Sequence, residues 1–572
     1  MIAEGTIVES FRKVVRKYGH KKALMYKENG VYRSIRFDEL WERVRIVAAL
    51  LQELGIKRGD KVAILANNRP EWAITDLATM MLGAVVVPIH LNLSAKIIHY
   101  ILNHCEAKII VVSDHDQLTK ISQAELNSLE NFIFLDQVTD EMKNVWKPII
   151  AWKEFMAKGG KGLDKNFKSD IKENDVCSII YTSGTTGLPK GVELTHKNFL
   201  SNVSSTYLAV PIKETDIFLS FLPLSHILER MAGYYIPLLC GATIAYAESV
   251  KKLAENLKEV KPTMIICVPR IFEKFHGAIW DRVRKNKMQK TIFHWSLKQK
   301  KGLGKWLAQI IVFGKIRKSF GGRLRLAISG GACLNERMAK FFYKMGILIL
   351  EGYGLTETSP VVSVNRENNY KFGTVGKPLD GVEVKMTAEK EILVKGDNVM
   401  RAYYKNSQET ADAIDGEGWF HTGDFGFIDS DGFLVVIGRK KEMIVTCGGK
   451  NIWPEHIEIE LNYDRFISQS VIIGHKQKFI SVLIVPNHME LSQYLKEKGI
   501  DKYDLGDSTV QQIYNRCLDK VNCNLSDYEK IRKFVLLPRE FSQELDEMTP
   551  TLKIKRNAIE YHFQREIDKI YN

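Results

Sequence analysis

The chain has 572 residues, which is too long for one compact core and predicts several domains. Apolar residues make up 45% and charged residues 26%, values close to the averages for soluble globular proteins. The longest apolar run, residues 77–89, is too short to span a bilayer and predicts a buried helix and strand. Residues 1–6 lack the basic and apolar regions of a secretory signal, so a cytoplasmic location is expected.

The eight cysteines are scattered and form no CxxC pair, and the histidines do not cluster at zinc spacing. Reduced, buried thiols are therefore expected, and a structural metal site is not.

The net charge of +14 is concentrated in one segment. Residues 281–325 contain fourteen Lys or Arg and one acid, interleaved with aromatic and aliphatic side chains. Such a segment suits an anionic membrane surface, and peripheral membrane contact is one expectation. The other is a solvated helical face whose apolar stripe packs on the core. No nucleic-acid partner is expected, because no recognition motif accompanies the charge.

Short β-rich apolar runs alternate with amphipathic segments along most of the chain. Strands are predicted at 61–65, 108–112, 264–267, 324–329 and 347–351. Helices are predicted at 37–54 and 335–345. This alternation predicts an α/β fold with mainly parallel sheets, in which ligand sites lie where strands end in Gly, Ser or Thr.

The pattern changes beyond Gly438. Runs at 471–474 and 479–485, separated by polar residues, predict a hairpin, and Pro454 suits the first turn of a helix. We therefore expect a large N-terminal domain of layered α/β subdomains at 1–438 and a small mobile α+β domain at 439–572.

Residues 181–191 (YTSGTTGLPKG) follow a strand and have the composition of a phosphate-binding loop. Glycines let backbone N–H groups approach an anion, hydroxyls add donors, and Lys190 adds positive charge. It is not a Walker A loop, because Gly191 follows Lys190. Composition alone would also fit a flexible surface turn. The candidate phosphate contacts are Thr182, Ser183, Gly184, Thr185, Thr186, Gly187 and Lys190.

The whole of this loop resembles the signature of the AMP-forming acyl-adenylate superfamily, which includes acyl-CoA synthetases, luciferases and adenylation domains. Five further family motifs follow in the expected order, so the resemblance covers essentially the whole chain. They are 329–332 (SGGA), 351–357 (EGYGLTE), 418–424 (GWFHTGD), 438–442 (GRKKE) and 549–556 (TPTLKIKR).

The resemblance implies a nucleotide site in the large domain. It implies that Tyr353 stacks on adenine, that Asp424 accepts the ribose hydroxyls, and that Arg439 completes the contacts. Outside these motifs the three would more simply be a core aromatic, a turn residue and a surface ion-pair partner. The further nucleotide contacts it implies are Ser329, Gly330, Gly331, Ala332, Glu351, Gly352, Gly354 and Thr356.

The resemblance also implies the catalytic groups. Glu357 and Thr186 are expected to hold Mg²⁺ on the ATP phosphates. Lys553 is expected to reach the acyl carboxylate and α-phosphate, and alignment with the family motif selects it over Lys555 and Arg556. The small domain is expected to rotate about a hinge near Lys441.

Residues 222–230 (LPLSHILER) resemble the long-chain acyl-CoA synthetase branch, as do 67–72 (NNRPEW) and 268–270 (VPR). His226 is expected beside the acyl carboxylate, although a lone buried histidine would more often be a core residue. The expected activity is ATP-dependent adenylation of a fatty acid, followed by transfer to coenzyme A. The resemblance to this branch also predicts a homodimer.

Four positions depart from the family pattern without removing a catalytic group: Cys333, Val445, Leu552 and Asn557. Three other activities remain open at this point. The chain could stop at acyl-AMP or deliver the acyl group to a carrier protein, it could be a nucleotide-binding membrane scaffold without turnover, or it could be a luciferase-like oxidase. The acidic and basic motif residues argue against the scaffold, and nothing marks an oxygen or luciferin site.

Overall fold

The structure is a computed structural model, and it describes residues 5–121, 126–146, 148–158, 162–163, 170–182, 188–284, 286–299, 301–549 and 552–571. Within these ranges no helix has both the length and the apolar character needed to cross a bilayer.

The strands of the described chain are β1 (Lys22–Glu28), β2 (Val31–Arg36), β3 (Lys61–Leu65), β4 (Val85–Pro88), β5 (Ala107–Val112), β6 (Asn131–Phe134), β7 (Ile149–Ala151), β8 (Val176–Thr182), β9 (Lys190–Thr195), β10 (Ile217–Ser220), β11 (Thr243–Tyr246), β12 (Met264–Cys267), β13 (Leu326–Ser329), β14 (Leu348–Gly354), β15 (Val361–Val364), β16 (Lys377–Pro378), β17 (Val382–Met386), β18 (Glu391–Gly396), β19 (Ala402–Tyr403), β20 (Phe420–Ile428), β21 (Leu434–Arg439), β22 (Ile444–Val445), β23 (Asn451–Ile452), β24 (Ile467–Ile473), β25 (Ile480–Pro486) and β26 (Ile531–Leu536).

The α-helices are α1 (Ile7–Tyr18), α2 (Phe37–Glu53), α3 (Pro70–Met81), α4 (Ala95–Cys105), α5 (His115–Leu118), α6 (Asp140–Val145), α7 (Trp152–Lys158), α8 (His196–Ala209), α9 (Ile236–Leu239), α10 (Leu253–Val260), α11 (Pro269–Arg284), α12 (Lys287–Lys298), α13 (Gly302–Leu307), α14 (Gly314–Ser319), α15 (Glu336–Lys344), α16 (Ser407–Ala413), α17 (Pro454–Asn462), α18 (His488–Glu497), α19 (Ser508–Asn522), α20 (Arg556–His562) and α21 (Gln564–Tyr571). Two π-helical segments, Glu229–Tyr235 and Ala308–Phe313, continue into α9 and α14.

Two large sheets form the body of the molecule. One has the strand order β19-β9-β8-β4-β3-β5-β6-β7, and the other has the order β16-β15-β14-β13-β12-β10-β11-β1-β2. The inner pairs of both sheets are parallel, and antiparallel pairs occur at their ends. The predicted α/β fold with mainly parallel sheets is confirmed.

Most predicted elements appear within a few residues of their expected bounds. The run at 77–89 does split into the end of α3 and the strand β4. Strand β13 begins at Leu326, two residues later than predicted, and β14 continues to Gly354. This extension matters because it places the motif at 351–354 on the strand itself, at the carboxyl end of the sheet.

Smaller units follow the two sheets. Strands β17, β18, β20 and β21 form an antiparallel sheet, and β24, β25 and β26 form another, mixed one. The predicted hairpin is β24–β25, with Val471 opposite Leu483, and Pro454 is the first residue of α17. Side chains between Ile444 and Ile570 form their own hydrophobic clusters, as an α+β unit requires. The boundary at 438/439 stays a prediction.

A buried ion pair joins the two large sheets. The Arg230 guanidinium, in the first π-helical segment, pairs with Asp76 on α3, and both side chains are fully buried. Arg230 also donates to the Ser178 hydroxyl on β8 at 2.7 Å, and the Tyr235 hydroxyl donates to Asp76 at 2.9 Å. Burial alone would lower the pKa of Arg230, but Asp76 outweighs it and raises the pKa. The guanidinium therefore stays charged in the core, with its nitrogens partnered. Burial raises the pKa of Asp76, and Arg230 opposes that rise.

Replacing Asp76 by Ala should lower the free energy of unfolding by about 3–5 kcal/mol, because an uncompensated guanidinium would stay buried. The measurement is urea unfolding followed by circular dichroism. The matched control is Glu255→Ala, which breaks an exposed pair with Lys252 and should cost less than about 1 kcal/mol. Equal losses in the two variants would contradict the importance of the buried pair.

Candidate active site

One cleft of about 1680 Å³ collects most of the residues that the sequence singled out. It lies where parallel strands of both large sheets end, which is the usual ligand position in α/β folds. The chain enters its wall after β4, β8 and β13, and segments from β20, β21 and residues 542–549 and 553–555 complete it.

The polar floor of the cleft is built around Asp424. This carboxylate is 2% exposed and accepts hydrogen bonds from the Tyr353 hydroxyl at 2.7 Å and from Arg439 Nε at 2.6 Å. Strand register explains the ion pair, since Asp424 on β20 lies directly opposite Arg439 on β21. Burial raises the pKa of Tyr353 well above its usual range, and Asp424 raises it further. The phenol is therefore a neutral donor, and its ring lines the cleft.

Two glycines have geometric reasons to be glycine. Gly331 has φ +82°, in the left-handed region, and a Cβ on Gly354 would lie 1.8 Å from the carbonyl oxygen of Pro360. With them, Ser329, Gly330, Ala332, Gly352 and Thr356 also line the cleft. The two motifs therefore bring backbone to the same wall as Tyr353.

Glu351 is placed differently from its neighbours. It does not line the cleft in the described structure, and its buried carboxyl accepts a hydrogen bond from the backbone N–H of Leu334 at 3.3 Å. Burial raises the pKa of Glu351 to about 8. The Glu351 side chain thus packs behind the wall of the cleft. A direct contact between Glu351 and the nucleotide stays a prediction, and the backbone of Glu351 would make it.

The phosphate end of the cleft is described only in part. Ser183, Gly184, Thr185, Thr186 and Gly187 lie outside the described residues. Thr182 and Lys190, which flank them, are opposite each other in the β8–β9 register and both line the cleft.

Lys190 and Glu357 share one neighbour. The Lys190 ammonium pairs with Glu409 at 2.6 Å and lies 5.2 Å from the centre of the Tyr403 ring. The Tyr403 hydroxyl donates to Glu357 Oε1 at 3.0 Å. A cation and a carboxylate therefore face the cleft within reach of one phenol, as a site for a metal-bound polyphosphate would require.

Lys553 reaches the same cleft from the C-terminal part of the chain. Its ammonium pairs with Glu442 Oε1 at 2.9 Å, and its backbone N–H donates to the Thr549 hydroxyl at 3.0 Å. Burial alone would raise the pKa of Glu442, but Lys553 outweighs it and holds the pKa below its usual range. Of the neighbouring cations, Lys555 lines the cleft but pairs with Asp546, and Arg556 pairs with Glu458.

Lys441 belongs to the 3₁₀ turn Lys440–Glu442, directly after β21. Its side chain lines the cleft, where burial lowers its pKa and the nearby Lys190 and Arg439 lower it further. The position joins the two parts of the chain that meet at the cleft. A hinge at Lys441 stays a prediction.

His226 lies in the cleft beside a second histidine. Its ring stacks on His90 with the ring centres 6.1 Å apart, and His90 Nδ1 is 2.7 Å from the Ser225 hydroxyl. Burial lowers the pKa of His226 to about 4 and that of His90 to about 3, and His226 lowers the latter further. The backbone N–H of Leu228 donates to His226 Nδ1 at 3.2 Å, so the neutral ring carries its proton on Nε2.

Apolar side chains line another part of the same cleft, which we call the apolar branch. They come from β10, β12, β15, the first π-helical segment and the residue that follows α8. They include Val210, Phe218, Ala232, Met264, Val361 and Val364. Such a branch can bury a hydrocarbon chain but offers no charge to bind.

Sequence reasoning assigned no role to four groups of this site, His90, Tyr403, Glu409 and Glu442, although Glu442 ends the motif at 438–442. His90 had a usable signal, because it follows the buried parallel strand β4, where side chains point toward ligands. The other three meet Lys190, Glu357 and Lys553 only through the tertiary fold, and nothing in their local sequence indicates those contacts.

Residues 11–404 match the family model described as AMP-binding enzyme, and residues 441–572 match that of the AMP-binding enzyme C-terminal domain. The first match alone spans more than half of the sequence. The chain belongs to the AMP-binding enzyme family.

Two curated relatives carry the name of one kind of ligase within this family. The chain is 33% identical to the long-chain-fatty-acid–CoA ligase FadD15 of Mycobacterium bovis, over 95% of this chain and 93% of the relative. It is also 33% identical to the human long-chain-fatty-acid–CoA ligase ACSBG2, over 99% of this chain and 92% of the relative.

Solved structures support the fold. The adenylation domain of a carboxylate reductase from Mycobacterium chelonae aligns with a TM-score of 0.82 at 21% identity, over 99% of this chain and 91% of that one. The anthranilate CoA ligase AuaEII, in complex with anthranoyl-AMP, aligns with a TM-score of 0.77 at 19% identity, over 98% of both chains.

Replacing Glu351 by Gln should make stability less sensitive to pH. Burial raises the pKa of Glu351 in the folded protein to about 8, above the ordinary 4.5. Between pH 4.5 and 8 the folded protein therefore holds a proton that the unfolded chain has lost. The contribution of Glu351 to stability is therefore lost as the pH rises from 4.5 to 8. Between pH 5 and 8 the variant should gain on the wild type by up to about 1.4 kcal/mol per pH unit, measured by urea unfolding.

The matched control for Glu351 is Glu383→Gln, on the exposed side of β17. This variant should follow the wild-type pH dependence. An unchanged slope for Glu351→Gln would contradict the raised pKa.

Proposed function

We propose that this protein is an AMP-forming long-chain fatty-acid–CoA ligase. The observation that carries the proposal is that one cleft contains Asp424 with its two donors, Lys553, and an apolar branch. Nucleotide, reactive carboxylate and hydrocarbon chain can then be held together. The curated relatives named as long-chain-fatty-acid–CoA ligases support the choice of acid and of thiol.

The proposed reaction has two steps. A carboxylate oxygen of the fatty acid attacks the α-phosphorus of ATP, the bond between that phosphorus and the β-phosphate oxygen breaks, and pyrophosphate leaves. The coenzyme A thiolate then attacks the acyl carbon, and the bond from that carbon to AMP breaks. Positioning and electrostatic stabilisation account for most of the catalysis such a site can supply.

We assign the nucleotide to the wall formed by residues 329–332 and 352–354, with adenine on the Tyr353 ring. Asp424 would accept the ribose hydroxyls, and its present donors, Tyr353 and Arg439, hold the carboxylate in place for that role. Thr182, Lys190 and the loop between them would bind the phosphates and steer pyrophosphate.

Magnesium fits the phosphate end of the cleft. Glu357 offers a hard oxygen ligand there, and one carboxylate with substrate phosphates and water is an ordinary magnesium site. Glu357, together with Thr186 from the loop outside the described residues, would hold the ion. When bound, Mg²⁺ offsets phosphate charge, and the Tyr403 hydroxyl orients the Glu357 carboxylate.

Lys553 would neutralise the charge that builds as the carboxylate oxygen attacks phosphorus. At the other side of the reacting atoms, His226 is neutral and carries its proton on Nε2, so it can donate to a substrate carboxylate oxygen. His90 stacks on it and supports its orientation. A neutral donor orients the carboxylate without lowering its nucleophilicity as a full positive charge would.

Two poses of residues 439–572 complete the proposal. The present arrangement has Lys553 in the cleft and suits adenylation. Rotation about Lys441 would withdraw this lysine and open a path for the thiol. The domain boundary at 438/439 belongs to this proposal, because it falls before the last residue of β21, directly ahead of the turn that contains Lys441.

Two interactions other than substrate binding stay predictions from the sequence. Homodimerisation is one, and light scattering of the purified chain tests it. Peripheral contact of residues 281–325 with an anionic membrane is the other.

Lys553→Ala should slow acyl-AMP formation at least about a hundredfold, because the attacking and leaving oxygens lose their counter-charge. Thioester formation from supplied acyl-AMP should be largely spared. Pyrophosphate release without coenzyme A measures the first step, and thioester formation from synthetic acyl-AMP measures the second. Lys520→Ala, which breaks a lysine–carboxylate pair with Asp464 outside the cleft, is the control and should leave both rates near wild type. Equal loss of both steps in Lys553→Ala would exclude the two-pose assignment.

A scan of fatty-acid chain length, with ATP and coenzyme A, tests the substrate class. The wild type should prefer long chains, and Ala232→Phe should shift the optimum to shorter acids, because the larger ring would fill the apolar branch. Ala232→Gly is the control and should keep the wild-type optimum.

One outcome would make a carrier protein the acyl acceptor in place of coenzyme A. In that outcome no acid of any chain length gives a coenzyme A thioester, and pyrophosphate is released only when the carrier protein is added. No pyrophosphate release with any acid would exclude the ligase altogether.

A further inference from the structure

The described residues of the basic segment at 281–325 form an outer helical layer. Helix α12 packs against the π-helical segment Ala308–Phe313. The rings of Phe293 and Phe313 meet with their centres 6.3 Å apart, and Phe293 also lies edge-on to Trp280 at 5.0 Å. This layer therefore has an apolar stripe of its own that packs on the core.

A second set of apolar side chains in the same layer points to solvent. Leu303 is 71%, Trp306 58% and Trp295 42% exposed, which is unusual for side chains of this size. The other members of the set are Met288, Ile292, Ile310 and Ile311. The spacings 288, 292, 295 and 303, 306, 310 place each group on one face of its helical stretch. Packing on the core does not account for these faces, because Phe293 and Phe313 already supply it.

Exposed cations surround the outward apolar set. Within the described part of this segment nine are exposed and none pairs with an acid: Arg282, Lys287, Lys290, Lys298, Lys301, Lys305, Lys315, Lys318 and Arg323. By contrast, Arg284 pairs with Glu490, Arg325 pairs with Asp216, and Arg317 donates to backbone carbonyls. The charge that remains is therefore available to an anionic partner.

We propose that α12, α13 and the π-helical segment Ala308–Phe313 dock on the surface of an anionic phospholipid bilayer. Trp295, Trp306 and Leu303 enter the boundary between headgroups and acyl chains, and the lysines around them meet lipid phosphates. The membrane accounts for both halves of the pattern, since it offers negative charge and an apolar phase at adjacent depths.

The alternatives each leave half of the pattern unexplained. A nucleic-acid backbone would use the cations but would leave seven large apolar side chains in water. A second copy of this chain, related by a two-fold axis, would cover the apolar faces but would bring unpaired cations against one another. Docking on lipid is independent of the chemistry in the cleft, and it would bring the protein to the phase in which long-chain acids dissolve.

Flotation of the purified full-length protein with lipid vesicles tests the proposal. Vesicles of phosphatidylcholine with about 30% phosphatidylglycerol should bind the protein, and binding should weaken as salt rises. Pure phosphatidylcholine should bind it at least about tenfold more weakly. Lipids brominated near the headgroup should quench tryptophan fluorescence, and Trp295→Phe with Trp306→Phe should remove most of that quenching.

Two combined variants separate the contributions. Lys287→Gln, Lys290→Gln, Lys298→Gln and Lys305→Gln together should weaken binding at least about tenfold. Trp295→Ser, Leu303→Ser and Trp306→Ser together should do the same and should abolish the quenching. Circular dichroism and the thermal midpoint verify that each variant is folded.

Matched controls remove the same number of lysines, or the same number of exposed apolar side chains, elsewhere on the surface. They are Lys258→Gln, Lys496→Gln, Lys498→Gln and Lys502→Gln for charge, and Val31→Ser, Val145→Ser and Leu208→Ser for apolar area. Both sets should bind vesicles like the wild type.

Several results would overturn the proposal. The first is equal binding to neutral and anionic vesicles, and the second is wild-type binding by both docking variants. The third is binding to duplex DNA without binding to vesicles. The fourth is self-association that the apolar variant abolishes, in a protein that does not bind vesicles.

Discussion

The ion pair between Asp424 and Arg439 is the contact on which the rest of the cleft depends. It is a cross-strand pair of β20 and β21, so strand register fixes its geometry. On one side, Asp424 holds the Tyr353 hydroxyl and with it the aromatic wall. On the other, β21 runs directly into the turn whose Glu442 holds Lys553. A buried carboxylate without its guanidinium would be costly, and both ends of the cleft would lose their anchor.

Neutral groups line one part of the cleft and charged groups line another. His90 and His226 are kept neutral by burial, and uncharged side chains line the apolar branch. Charged groups gather instead around the Asp424 floor, Lys190 and Lys553. In the proposed function, the hydrocarbon chain and the anionic nucleotide would thus meet surfaces of matching polarity.

Much of the fold was predictable because parallel strands are continuous apolar runs, as at 61–65 and 264–267, and their ends mark the cleft. The motif residues of the site were found by resemblance. The sequence does not indicate which side chains from distant parts of the chain contact each other in the fold. Tyr403 reaches Glu357 because β19 pairs with β9, and Glu351 turns away from the cleft toward the backbone N–H of Leu334, just before α15. Helical periodicity places Phe293 and Trp295 on different faces of α12, but it does not indicate which of the two faces packs on the core.

The pair between Lys553 and Glu442 has a consequence for how substrates enter. The lysine has a carboxylate partner within the protein, the Glu442 side chain. In the proposed reaction the fatty acid and the α-phosphate would exchange places with Glu442. Such an exchange of one oxygen anion for another would leave Lys553 paired throughout, and Glu442 would hold the lysine in position for it.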